Sequence, residues 1–157
     1  MSNQPPPRKR KSSPRIFEWI FATGALLICF IVPALFTINQ ISIPSSSVRD
    51  ILPFPALYFI EIASLGIACL VAVYRDDQNQ KSAWNAVPWL CAGINFAFVI
   101  LGAWTIGFFL IPSLIAFVFV GFLMDKRKKG DIALHFIYLI SAGIAQSMVV
   151  LLAVSVA

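Results

Sequence analysis

Polar and apolar positions in this chain alternate in blocks rather than residue by residue. Apolar residues run with little or no charge over residues 16–38, 53–74, 86–124 and 132–156, and charged residues gather between those stretches. A helix that crosses the hydrocarbon of a bilayer needs roughly 20 mostly apolar residues. The first block has one charge, Glu18, near its start, and the second has one, Glu61, well inside it. The third block carries no charge over 39 residues. As a single straight helix it would measure about 60 Å, twice the hydrocarbon thickness. Its one turn-like segment is Gly102-Ala103-Trp104-Thr105-Ile106-Gly107, so the block is read as a hairpin. The pattern predicts an all-α fold, a polytopic membrane helix bundle with five spans at about residues 16–38, 53–74, 83–102, 105–124 and 132–156.

Local signals refine the ends. Pro53 or Pro55 suits the first turn of the second helix, where a missing N–H goes unnoticed. Ser82 and Asp131 are candidate N-caps of the third and fifth helices. Residues 125–130 read as a polar link, and residues 39–52, with three serines and Pro44, as a longer connection. Residues 1–14 hold Pro, Ser, Lys and Arg and no apolar side chain after Met1. Such a composition cannot bury a core, so a disordered basic tail precedes a bundle over residues 15–157. The first apolar block is longer than the 7–15 residues of a signal-peptide core and no small-x-small site closes it, so an uncleaved first helix is expected.

Composition sharpens this picture. The chain is 59% hydrophobic and 12% charged, about half the charged share of a soluble domain. Too little polar surface is present to cover a water-facing globule. The net charge of +5 does not call for nucleic acid, because basic residues beside apolar spans set orientation and meet anionic lipid. Eleven of the 12 Lys and Arg residues fall on one side of a five-pass arrangement, and only Arg49 on the other. Basic flanks stay in the cytoplasm, which places the N-terminus inside and the C-terminus outside, in a bacterial plasma membrane. Arg8, Lys9, Arg10, Lys11, Lys126, Arg127, Lys128 and Lys129 are expected to face anionic headgroups. Trp19, Trp84 and Trp89 fall near the inner boundary and Trp104 near the outer one, as in an aromatic belt.

Candidate chemistry is sparse. Glu61 lies about eight residues, or about 12 Å, from the outer end of its helix. A carboxylate at that depth is costly unless it is protonated, paired or wetted. Asn95, Ser113 and Gln146 fall at similar depths, so the four are a candidate intramembrane polar cluster. Glu61, Ser64, Ala68 and Ala72 form a small, polar stripe on one helix, and His135, Ala142, Gln146 and Ala153 another, as helix–helix contacts in membranes require. His135, the single histidine, and Glu18 sit near the inner interface, where Glu18 has Arg15 one turn before it. Cys29, Cys69 and Cys91 lie within spans, without metal-ligand spacing, and read as packing residues. Residues 30–35 and 109–114 share a pattern of apolar residues around a proline, which chance supplies readily in membrane proteins.

No phosphate-binding glycine loop, nucleophile elbow, zinc motif or haem-attachment pair is present in the sequence. The expectation is therefore a non-catalytic accessory, assembly or scaffold protein without a cofactor, whose partners are lipids and another membrane protein or further copies of itself. The alternative is a small oligomeric transporter or channel with Glu61 as a proton or cation site.

Overall fold

The computed structural model describes residues 13–41, 54–78, 83–103 and 106–156. Among them the chain is helical throughout: α1 Ser13–Ile41, α2 Phe54–Gln78, α3 Val87–Leu101, α4 Ile111–Lys128 and α5 Ile132–Val156. Short 3-10 turns, Ala83–Ala86 and Gly107–Leu110, lead into α3 and α4. Each of the five helical segments is long and apolar enough to cross a membrane, so the protein is a multipass membrane protein.

The hairpin within the long apolar block forms where its glycines stand. The Gly102 amide closes on Phe98 O at 2.9 Å, and the Gly107 amide donates to Gly102 O at 2.7 Å. The helix borders differ from the sequence expectation at three places. Ser13 and Pro14, assigned to a disordered tail, belong to the first turn of α1, where proline is tolerated. Residues 83–86 are a 3-10 turn rather than α-helix, followed by Pro88 at the start of α3. The supposed polar link 125–130 is largely helical: α4 continues to Lys128 and stops at Lys129, which takes a left-handed φ of 55°. That extra turn is held by ion pairs described below. Asp131 caps α5, its Oδ1 accepting from the amides of Ala133 at 3.0 Å and Leu134 at 3.3 Å. Residues 1–12, including Arg8, Lys9, Arg10 and Lys11, lie outside the described residues, as do Ser82, Trp104 and most of the 39–52 connection.

Helix α1 packs against α2 and α4, while α3 packs against α2, α4 and α5. Small inward residues let the helices approach: Ala22, Ala25 and Cys29 on α1 face Ile62, Leu65 and Cys69 on α2. On α4 the inward face is Ser113, Phe117, Val120 and Met124. The closest approach joins α3 to α5, where a Cβ on Gly93 would run into the Leu139 carbonyl and one on Gly143 would sit 3.1 Å from Gly93 O. Without a hydrophobic drive between helices in lipid, such close backbone packing supplies the association. Phe36 meets Phe59, Phe21 stacks on Phe119 at 5.3 Å, and Tyr58 meets Phe98 edge-on. These contacts make α1 antiparallel to α2 and α4, and α2 antiparallel to α3, while α3 and α5 run parallel. The N-terminal ends of α1, α3 and α5 therefore gather with the C-terminal ends of α2 and α4. Pro33 sits inside α1, and the Thr37 hydroxyl donates to its carbonyl at 2.8 Å.

Candidate functional site

Polar side chains concentrate at two levels. The first is the middle of the bundle. Asn95 on α3 and Ser113 on α4 are fully buried. The Asn95 amide donates to Ser113 Oγ at 2.8 Å, and that hydroxyl donates to Leu110 O at 2.7 Å. Asn95 Oδ1 is left without a partner. Glu61 on α2 is half-buried and faces the Gln146 amide of α5. Gln146 is only 7% exposed, yet its Nε2 makes no hydrogen bond of ordinary geometry. The Tyr58 hydroxyl, one turn before Glu61, is likewise buried and unpartnered. The four residues singled out in the sequence thus divide into two pairs, Asn95 with Ser113 and Glu61 with Gln146. Ser64 turns back to its own helix, donating to Glu61 O at 2.6 Å.

The second level is the end where α4 stops. Here Arg127 clasps Glu18 of α1 with two bonds, Nε to Oε1 and Nη2 to Oε2, both 3.0 Å. The same Nη2 reaches Asp76 of α2 at 2.6 Å, and Lys128 pairs with the other oxygen of Asp76. Glu18 and Asp76 are 1% and 0% exposed. The same turn of α4 carries Asp125, also buried, on another side. Its Oδ1 accepts from Asn85 at 3.0 Å, and its Oδ2 accepts from Trp89 Nε1 at 2.9 Å. His135 of α5 brings Nδ1 to the same Oδ2 at 2.8 Å. The Trp89 indole lies directly over Gly121, where a Cβ would sit 2.7 Å from Nε1. One turn of α4, residues 125–128, thereby holds side chains from α1, α2, α3, α5 and the turn before α3.

Comparison with protein-family models, with curated proteins and with solved structures returns no match. Function must be argued from the geometry alone.

That geometry reassigns several residues. Arg127 and Lys128 turn their cationic groups to Glu18 and Asp76, so they are builders of the fold before they are lipid contacts; Lys126 and Lys129 remain exposed. Glu18 pairs with Arg127, more than a hundred residues away in sequence, rather than depending on Arg15 alone. Trp89 is 3% exposed and bonded to Asp125, so it is no part of a lipid-facing belt, whereas Trp19 is 37% exposed near that end. Asp76 and Asp125 carried no signal beyond flanking a span, because a charge at a helix end looks the same in sequence whether it meets water or a buried arginine. Cys29, Cys69 and Cys91 are buried free thiols. No group of three or more His, Cys, Asp or Glu residues able to hold a metal occurs among the described residues.

Proposed function

We propose that the protein is a non-catalytic structural component of its membrane, an accessory or scaffold subunit that offers a helix face to a partner membrane protein. The observation that supports this is the division of labour among the helices. The clasp at residues 125–128 joins all five helices at one end, with Glu18 and Asp76 paired to Arg127 and Lys128 and Asp125 held by Asn85, Trp89 and His135. Helix α5, held along one side by α3, exposes Phe136, Ile140, Ile144, Met148 and Leu152 along the other. A rigid bundle with one outlying apolar helix suits docking between helices better than a reaction. The basic end, with Arg75, Lys126 and Lys129, lies on the cytoplasmic side of a plasma membrane under this reading, against anionic headgroups.

Two experiments test it. Photo-crosslinkers placed at Ile140, Ile144 and Met148 in cells should each trap one protein of the same mass, and a crosslinker at Ile31 on α1 should not. Crosslinks to lipid alone at all four positions would overturn the reading. For orientation, Lys126→Cys should react with a membrane-impermeant maleimide only after cells are opened; reaction in intact cells reverses the assignment.

A second reading, a small oligomeric carrier or channel, is favoured by one observation: Glu61 stands within a span, half-buried, with no ion-pair partner among the described residues. Proton or cation flux into liposomes that is abolished by Glu61→Gln would establish it.

A further inference from the structure

Glu61 differs from the three fully buried carboxylates at the ends of the spans. Glu18, Asp76 and Asp125 each meet a cation or three polar donors. Glu61 meets neither. Its surroundings hold no fixed charge from any helix packed nearby. On its own helix the titratable side chains are Tyr58, Cys69 and Tyr74, and the nearest charges, Arg75 and Asp76, lie about 20 Å along the axis. Helix α1 offers Cys29 alone beyond Glu18, and α3 offers only Cys91. Helix α5 offers His135 and Tyr138, and His135 is engaged with Asp125. A full negative charge at this depth with no countercharge is costly. The group that removes it must bring one positive charge and fit between neutral neighbours.

Those neighbours are built for such an exchange. Gln146 is more than nine-tenths buried, faces Glu61, and has an amide nitrogen with no hydrogen bond of ordinary geometry. The Tyr58 hydroxyl is buried and unpartnered one turn away on the same helix, its ring fixed edge-on against Phe98. A buried donor without an acceptor is itself costly. The Gln146 amide lies against the carboxyl, and the Tyr58 hydroxyl, one turn away on the same helix face, is a second donor for its charged form, while the neutral carboxyl suits the apolar setting. Glu61 is partly exposed at the surface of the bundle.

We propose that Tyr58, Glu61 and Gln146 form an intramembrane proton-binding site, in which Glu61 takes up and releases one proton while the two neutral side chains steady its charged form. This deepens the second reading above by naming the ligand. It is read by occupancy, so a failed flux assay leaves it standing.

The experiment is modification by dicyclohexylcarbodiimide, which attacks protonated carboxyl groups in apolar surroundings, on the purified full chain in lipid nanodiscs between pH 5 and pH 9. Mass spectrometry should find a single adduct within the spans, at Glu61, falling at least tenfold as the pH rises. Exchanging choline for sodium or potassium at constant ionic strength should not change it. In Gln146→Leu the labelling should persist to a pH about one unit higher, a roughly tenfold effect, because the carboxylate loses a donor. Tyr58→Phe should act in the same direction, and Ser64→Ala, whose hydroxyl bonds only to the helix backbone, should leave the profile unchanged. If Gln146→Leu does not fold, Gln146→Asn, with its amide drawn back, serves in its place. No adduct at any pH, or labelling independent of pH, would refute the site. Protection by sodium would make it an alkali-cation site instead. An unaltered profile in both the Gln146 and Tyr58 variants would reduce it to a lone carboxyl.

Discussion

At the end where α4 stops, eight side chains drawn from all five helices and the turn before α3 engage one another: Glu18, Asp76, Asn85, Trp89, Asp125, Arg127, Lys128 and His135. About 20 Å away, in the middle of the bundle, the polar groups form two small pairs, and three buried atoms there, Tyr58 Oη, Asn95 Oδ1 and Gln146 Nε2, make no hydrogen bond of ordinary geometry. Both regions place ionisable groups where water is scarce. In the first, Arg127 and Lys128 match the charges of Glu18 and Asp76, and Asp125 is held by Asn85, Trp89 and His135, so the arrangement is fixed. In the second, a single carboxylate faces an amide, with a phenol one turn away on its own helix. Matched charges at a helix end specify how helices assemble; an unmatched one inside the hydrocarbon is poised to change its state. The distinction rests on partners rather than on residue type, since both regions use the same carboxylates.

The comparison is broken most forcefully at Arg127. Arg127→Met leaves Glu18 and Asp76 buried, with Lys128 beside Asp76 and Arg15 near Glu18 as the remaining cations. Removing one partner of a buried ion pair costs about 3–5 kcal/mol. The expected outcome is a large fall in thermal stability in detergent, with α1 and α2 becoming protease-sensitive first. Converting Glu18 and Arg127 together to Gln and Met should recover part of the loss, because the uncompensated charge is then gone from α1. A double variant as unstable as the single one would show that shape, and not charge, holds that turn.

Next in size is Gly121→Ala. The added methyl enters the space of the Trp89 indole, and the ring cannot yield without leaving Asp125. Overpacking of this kind costs about 1–3 kcal/mol. The same change should alter the Trp89 fluorescence spectrum, because its N–H loses a carboxylate acceptor. Stability that falls with no spectral change would place the strain elsewhere on α4. In the middle of the bundle, Ser113→Ala removes one interhelical hydrogen bond, and the expected loss is about 0.6 kcal/mol, the average measured for such bonds in membranes.

The fold was legible in the sequence because its cause is one-dimensional. Block length and charge spacing fix five spans, and the two glycines at 102 and 107 mark the hairpin. The middle layer was partly legible, because depth along a helix can be counted: Glu61 and Gln146 come together, and so do Asn95 and Ser113. Which residue pairs with which depends on helix rotation and neighbour order, and these are set by contacts such as Gly93 against Leu139 that no local pattern announces. The clasp was illegible for a related reason. Arg127 and Lys128 look like topology signals, and Glu18 and Asp76 like ordinary flanking charges, until α1, α2 and α4 are laid side by side. Helix α4 outran its expected end for the same cause, since the turn at 125–128 is stabilised by partners on other helices rather than by its own sequence.

The smallest expected effect belongs to the residue that is most exposed to chemistry. Glu61→Gln keeps the side-chain shape, keeps an oxygen to face Gln146 and removes the only charge on the apolar part of α2. No ion pair is lost, because none exists among the described residues, and the helix keeps its packing through Ile62 and Leu65 on the buried side. Stability in detergent should therefore stay within about 0.5 kcal/mol of the parent, in the range of a substitution that disturbs neither core nor network. Glu61→Lys should behave differently. It brings a fixed positive charge with no acceptor but Gln146 and no way to be neutralised at low energy, so both insertion and folding should suffer. If Glu61→Gln instead destabilised the bundle as much as Arg127→Met, Glu61 would be a structural anchor like Glu18, and the contrast between the two polar regions would fail. Two carboxylates that lie at different depths but cost the same to remove would mean that the middle layer, too, is held together by its charge.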